Sequence, residues 1–300
     1  MISEEAVKIR GELQKTILDK YGAFFNSISK ISAQKITDDV LSPKKIDEQV
    51  SIIERISGEK IAGKKILEIG SGFGIFTIVT NKTYGADSYG VEPGSEGFGG
   101  SYELSQTILK DSGVDPKRVK MGVGESLPFP DNSFDIVYST NVLEHVTDPA
   151  KVISEAIRVT KSGGFIQIVF PSYGSFYDGH YACMYLPYQP KWLWKLWLKY
   201  VLRRDTAFVD TLRTELNYFS IRKILMPFIN AKKIEVVSTG EEIFRERMTT
   251  IAFTPYAGLT KIKRLVEIMH KFRIVQVAIW TILLIKAHSP LIISIRKSPF

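Results

Sequence analysis

The sequence predicts a doubly wound α/β fold, with a mostly parallel sheet, an antiparallel last strand and helical additions. Two observations predict it. From residue 66 onward, short apolar runs alternate with stretches at helical spacing. The first apolar run feeds directly into Gly70, Gly72 and Gly74, as expected where such a sheet turns from strand into helix. Strands separated by single helices pair in parallel through right-handed crossovers.

Residues 1–60 read as a helical segment. Apolar residues recur at helical spacing over 4–18, and Pro43 opens a second amphipathic run to Ile56. The core is expected over 61–172. Its strands fall at 66–69, 88–91, 119–123, 134–139 and 164–170, with helices at 74–84, 102–112 and 149–160. The Lys161-Ser-Gly-Gly164 turn reads as a helix stop before the fifth strand. After Pro171 the rhythm breaks. Residues 173–232 hold a Tyr-, Gly- and Pro-rich loop at 173–188, a Trp-dense helix at 191–200 and another helix at 220–230. Residues 233–300 supply strands at 233–238 and 290–296 around a mostly helical insertion, 240–288.

Composition sets outer limits. A hydrophobic content of 44% with 24% charged residues argues against global disorder. One cysteine, Cys183, excludes an intramolecular disulfide and a multi-cysteine zinc cluster, and no metal ligands are assigned. The acidic start shows no signal peptide, so the expected location is cytoplasmic, with peripheral contact at the inner face of the membrane left open. The net charge is +8. Bases crowd from Lys191 to Lys233 around Trp192, Trp194 and Trp197. That surface suits an acceptor pocket, a lipid interface or, less well, nucleic acid. The longest apolar stretch, 274–285, is shorter than the roughly 20 residues of a spanning helix; it is expected against the core or a membrane surface.

The strongest chemical signal is Glu68-Ile-Gly70-Ser71-Gly72-Phe-Gly74. Glycines let the chain turn tightly and let a ligand approach the backbone. A dinucleotide fingerprint requires a glycine where Ile75 stands, and Glu68 would repel a pyrophosphate while attracting an ammonium or sulfonium. Both features weigh against a nicotinamide oxidoreductase. At the end of the second strand Glu92 is placed to accept hydrogen bonds from ribose hydroxyls.

These residues, followed by Gly124-Glu125-Ser-Leu-Pro-Phe-Pro-Asp-Asn-Ser-Phe-Asp135, Asn141-Val-Leu-Glu-His145-Val146 and Glu155-Ala-Ile-Arg-Val-Thr-Lys-Ser-Gly-Gly164, resemble the class I S-adenosylmethionine-dependent methyltransferases. The likeness is to the small-molecule group with Leu-Pro-Phe and Leu-Glu-His signatures, and it covers roughly residues 60–172. It implies a Rossmann-like core with S-adenosylmethionine as cofactor. By this resemblance Gly70, Ser71, Gly72 and Gly74 wrap the methionyl part, Glu92 holds the ribose, and Gly124, Glu125 and Asn141 join the cofactor site. Where that family often carries Asp near the adenine amine, this chain has Val123. The segment from Asn141 would line the methyl-transfer pocket, with His145 at a helix start as a candidate base.

Beyond the core, Tyr177-Asp178-Gly-His180-Tyr181 and Leu186-Pro-Tyr-Gln-Pro-Lys191 resemble, more loosely, methyltransferases of glycan and surface-polysaccharide biosynthesis. This segment is expected to overhang the pocket as an acceptor lid, with His180 a second candidate for acid–base work. The expected acceptor is therefore a small molecule, sugar or lipid-linked sugar, methylated at oxygen. A non-catalytic membrane-surface protein on the same fold is the alternative.

Overall fold

The computed structural model describes residues 14–23, 26, 32–40, 42–94, 100–251 and 260–299. The helix expected from residue 4 lies outside the described residues up to 13, and 14–23 is helical. After it, helices α1 (Ala33–Val40) and α2 (Pro43–Ser57) lead to the sheet. Pro43 opens α2, and Gly58, in a left-handed conformation, closes it.

The core then alternates as β1 (Lys65–Ile69), α3 (Ile75–Tyr84), β2 (Asp87–Glu92), α4 (Ser101–Asp111), β3 (Val119–Met121), β4 (Phe134–Thr140), α5 (Pro149–Val159) and β5 (Thr160–Phe170). A short hairpin follows, β6 (Tyr177–Asp178) with β7 (Cys183–Met184), and then α6 (Lys191–Leu196), α7 (Ala207–Asp210) and α8 (Tyr218–Asn230). The chain ends as β8 (Ile234–Ser238), α9 (Glu241–Thr250), α10 (Thr260–Lys271), α11 (Val275–Leu284) and β9 (Leu291–Lys297).

Seven strands form one sheet in the order β3-β2-β1-β4-β5-β9-β8. β1 to β5 pair in parallel, and β9 runs antiparallel between β5 and β8. The order reverses at β1, whose neighbours are β2 and β4. Ligands of open α/β sheets bind at such a reversal, outside the carboxyl ends of the strands.

The period-two alternation of β1 fixes its two faces. Ile66 joins a core with Ile53, Phe76 and Tyr138 on the α2–α3 side. Leu67 and Ile69 face the other core with Val152, Ile153 and Ala156 of α5. That second core continues through Tyr173, Tyr181, Trp194, Val209, Leu216 and Ile221. The segment expected as a lid is thus packed onto the sheet.

Four expectations need correction. Strand β5 begins at Thr160 and its pairing with β4 slips between Phe134 and Ile136. Gly163 and Gly164 therefore sit in a bulge inside the strand, not in a helix stop. The third strand ends at Met121, and Val123 instead bridges Ser126 in a tight turn. The Trp-dense helix changes at Trp197 into a π-helical turn, Trp197–Val201. The 173–188 loop contains the β6–β7 hairpin, whose Tyr177–Met184 and Asp178–Cys183 pairs bring His180 to its tip.

Candidate functional site

The turn after β1 is held by the end of β2. The backbone N–H groups of Gly70 and Ser71 both donate to the carbonyl of Val91, at 2.8 and 3.0 Å. Gly70 has φ +73°, and a Cβ there would lie 2.2 Å from Cγ2 of Val142. Only glycine lets the turn pack under the loop that follows β4. Gly72, at φ +52°, has open space where its Cβ would be, so a ligand can reach this backbone. Gly74 caps the start of α3.

Two buried carboxylates flank the turn. Glu68 lies on the α3 face, where Thr77 Oγ1 donates to its Oε2 at 3.4 Å. Burial, and then the neighbouring Glu92, push its carboxyl well above the usual range. Glu92 accepts from the N–H of Gly72 at 2.8 Å and from Ser101 Oγ at 2.6 Å. Burial raises its pKa as well, against those two hydrogen bonds. Ser71 Oγ is buried with no hydrogen-bond partner among the described residues, a polar atom that a bound ligand would satisfy. An accessible glycine backbone, an orphaned hydroxyl and a strand-end carboxylate fit a nucleoside carrying a positive charge.

Gly124 and Glu125 do different work. A Cβ at Gly124 would sit 3.1 Å from Ile69 and 3.2 Å from Val152 side-chain atoms, so this glycine seats its loop on the end of β1. Glu125 Oε1 accepts from the N–H groups of Thr147 at 2.8 Å and Asp148 at 3.3 Å. Its observed contact is thus with the loop after β4. The Leu-Pro-Phe loop is pinned by two residues of the Glu155–Gly164 motif to which the sequence assigned no role. Glu155 accepts from the Leu127 N–H at 2.8 Å, and Arg158 bonds Glu155, Asp131 and the carbonyls of Leu127 and Phe129. Their spacing of three residues on α5 was the available signal.

Across the reversal point, Asn141 leaves β4 at φ +53°, its N–H donating to the Val169 carbonyl at 2.8 Å. His145 is not at a helix start. It lies in a turn closed by its own N–H on Val142 O at 2.8 Å, and α5 begins at Pro149. Arg213 holds this loop from outside: its backbone N–H donates to Glu144 O at 2.8 Å and its Nε to Val146 O at 2.9 Å.

The fold brings both candidate histidines together beside Glu144. Glu144 Oε1 lies 3.9 Å from His145 Nε2 and 3.8 Å from His180 Nε2. The two imidazoles stand nearly perpendicular, at 88° with centroids 5.4 Å apart, and Phe208 packs against both. Asp178 accepts from the Tyr181 N–H at 2.6 Å and faces His180 Nδ1 at 3.4 Å. Burial pushes the Glu144 carboxyl up to about 7, against the pull of His180. Burial, then the charge of His180, takes His145 down to about 3. Burial also opposes the charged form of His180, but Asp178 and Glu144 outweigh it and the net shift is upward. Glu144 is the member that sequence reasoning missed, although it lies within the Leu-Glu-His signature.

A profile of the family described as a methyltransferase domain matches residues 67–168. The uncharacterized methyltransferase YcgJ of Bacillus subtilis is 33% identical over 108 residues, which are 36% of this chain and 41% of that protein. Its crystal structure aligns with a TM-score of 0.37 and 27% identity, covering 44% of this chain and 52% of the other. An uncharacterized methyltransferase of Schizosaccharomyces pombe is 36% identical over 105 residues, 34% of this chain and 38% of its own length. The chain thus spans about two fifths of the length of these two relatives. Over residues 67–168 the chain therefore matches a methyltransferase domain, and its relatives over that stretch are methyltransferases by name.

Proposed function

We propose that the protein transfers a methyl group from S-adenosylmethionine to a hydroxyl of a small-molecule acceptor, a sugar or lipid-linked sugar. One observation carries this reading: a buried carboxylate, Glu144, faced by two partly exposed imidazoles lies in the loop after β4, whose Val142 packs on Gly70 of the glycine turn. S-adenosylmethionine supplies an activated methyl group. The backbone of Gly72, Ser71 Oγ and the carboxylate of Glu92 would hold it, with Glu68 favouring its positive charge. Asn141, exposed at the end of β4, is available at the boundary between the two halves.

The chain's own task is alignment and proton handling. Polar atoms of Glu144, His145 and His180 gather where a hydroxyl would approach. They ease its proton away as the oxygen–carbon bond forms and the carbon–sulfur bond breaks. The test combines two measurements. S-adenosylhomocysteine should raise Tm while NAD does not, because a ligand stabilises only a protein that binds it. Labelled methyl donor, incubated with a fractionated cell extract, should deliver label into a glycan or glycolipid fraction. A rise with NAD alone, or label in no fraction, would refute the reading.

A lipid-linked acceptor is favoured by the surface. No helix among the described residues is long and apolar enough to cross a membrane. Helix α11 buries Val275, Ile279 and Leu283 but exposes Val277, Trp280 and Leu284, each more than 60% accessible. Trp192, Trp197 and Tyr200 are exposed as well. Tyr188 ties the neighbourhoods together, its hydroxyl donating to Ile285 O at 2.7 Å while its ring packs near Phe219. With Lys199, Arg203, Lys271 and Arg273 also exposed, the combination suits an anionic lipid interface. Co-sedimentation with anionic vesicles should fall in Trp280→Ser; sedimentation equal to wild type would remove the lipid contact.

A further inference from the structure

We propose that Glu144, His145 and His180 form a site for one divalent transition-metal ion, with Asp178 orienting His180 from behind. One donor atom from each of the three residues lies within 4.8 Å of the others. Their separations from Glu144 Oε1, 3.9 and 3.8 Å, are too long for hydrogen bonds among themselves. Donors around a single ion at ordinary bond lengths stand about 3–3.5 Å apart, so small side-chain rotations would close the set.

Glu144 supplies the independent observation. It is fully buried, and no other described residue donates a hydrogen bond to its carboxylate oxygens. A buried carboxyl stays ionised only with a cation or donors beside it. The carboxylate also lies between the two imidazoles, where an ion would serve all three. Two nitrogens and one oxygen suit zinc, cobalt, manganese or iron, whereas calcium and magnesium favour oxygen sets. Asp178, facing Nδ1 of His180 while Nε2 points toward Glu144, reproduces the carboxylate–histidine–metal arrangement that orients ligating imidazoles. Three protein ligands leave a position open.

The ion's role, though not its binding, rests on the methyltransferase reading above. The open position would take the acceptor oxygen and lower the pKa of its hydroxyl. The proton leaves to solvent water; the oxygen–carbon bond forms as the methyl carbon–sulfur bond breaks and its electron pair stays on sulfur.

The test uses the full chain, stripped by chelator and dialysed, then titrated with cobalt(II) chloride while visible absorption and equilibrium dialysis are followed. The expected result is one ion per chain with ligand-field bands. Glu144→Gln and His180→Gln should lose the bands, and Asp178→Asn should weaken binding about 10–100-fold. Each variant's fold is checked by its S-adenosylhomocysteine heat and circular dichroism. Should either buried substitution unfold the protein, His145→Gln, at a side chain 27% exposed, decides the matter. Folded wild-type protein that takes up no more cobalt than these variants would overturn the site. Cobalt uptake without S-adenosylhomocysteine heat would instead leave the site standing and refute the methyltransferase reading.

Discussion

Glu92 and Glu144 are both buried carboxylates at the carboxyl edge of the sheet, but their surroundings differ. Glu92 is held by the Gly72 N–H and the Ser101 hydroxyl. Glu144 faces two imidazoles beyond hydrogen-bond reach, and no other described residue donates to its oxygens. The first belongs to a turn built from adjoining strands, the socket of the proposed reading. The second belongs to a cluster assembled from the loop after β4 and the tip of the β6–β7 hairpin. On that reading the socket grips the cofactor, and the cluster meets a group that arrives with the acceptor or before it.

If that division holds, substitutions on the two sides should separate binding from turnover. The largest effect is expected at His180→Ala: turnover falls roughly 10²–10⁴-fold, with S-adenosylhomocysteine affinity within about twofold of wild type. Equal losses in turnover and affinity would erase the division. Next comes Gly70→Ala, which forces a methyl into Val142 and holds a non-glycine residue at φ +73°. Overpacking and the conformational penalty together should cost about 2–4 kcal/mol, read as a lower Tm. An unchanged Tm would mean that the two loops are not locked together.

The smallest effect sharpens the contrast between site and scaffold. Glu155 is held below the usual carboxylate range by its hydrogen bonds with Arg158. A carboxyl whose folded pKa is depressed adds stability that is fully present above its unfolded value of about 4.3. That stability disappears as pH falls through the lower folded value. The Tm difference between wild type and Glu155→Gln should therefore be largest near pH 6 and shrink toward pH 3, with turnover per folded molecule unchanged. A difference that is constant with pH would show that the ion pair contributes nothing.

The turn after β1 was readable in the sequence because it is local. Glycines at fixed spacing after an apolar run, followed by an acid at the end of the next strand, specify a tight turn beside a strand-end carboxylate without tertiary information. The cluster was only half readable. His145 and His180 were visible as candidates, but their meeting depends on the hairpin that folds residues 177–184 back over the β4 loop. Glu144 could not be recognised as buried, because its enclosure comes from segments beyond residue 170 and from Arg213, whose backbone and side chain clasp the loop. The contact of Glu125 was not readable either: its side chain meets the backbone N–H groups of Thr147 and Asp148, in the loop that leads into α5. Where chain order and spatial order coincide the residues speak for themselves; where a loop must return across the sheet they do not.

Calorimetric titration of the full chain with S-adenosylhomocysteine, for wild type and Glu92→Ala, tests the central claim most directly. The account predicts one site per chain, with affinity falling about tenfold to a hundredfold in the variant, as expected for losing hydrogen bonds to a charged group. A folded wild-type protein that gives no heat, or a Glu92→Ala variant that binds as tightly, would contradict it.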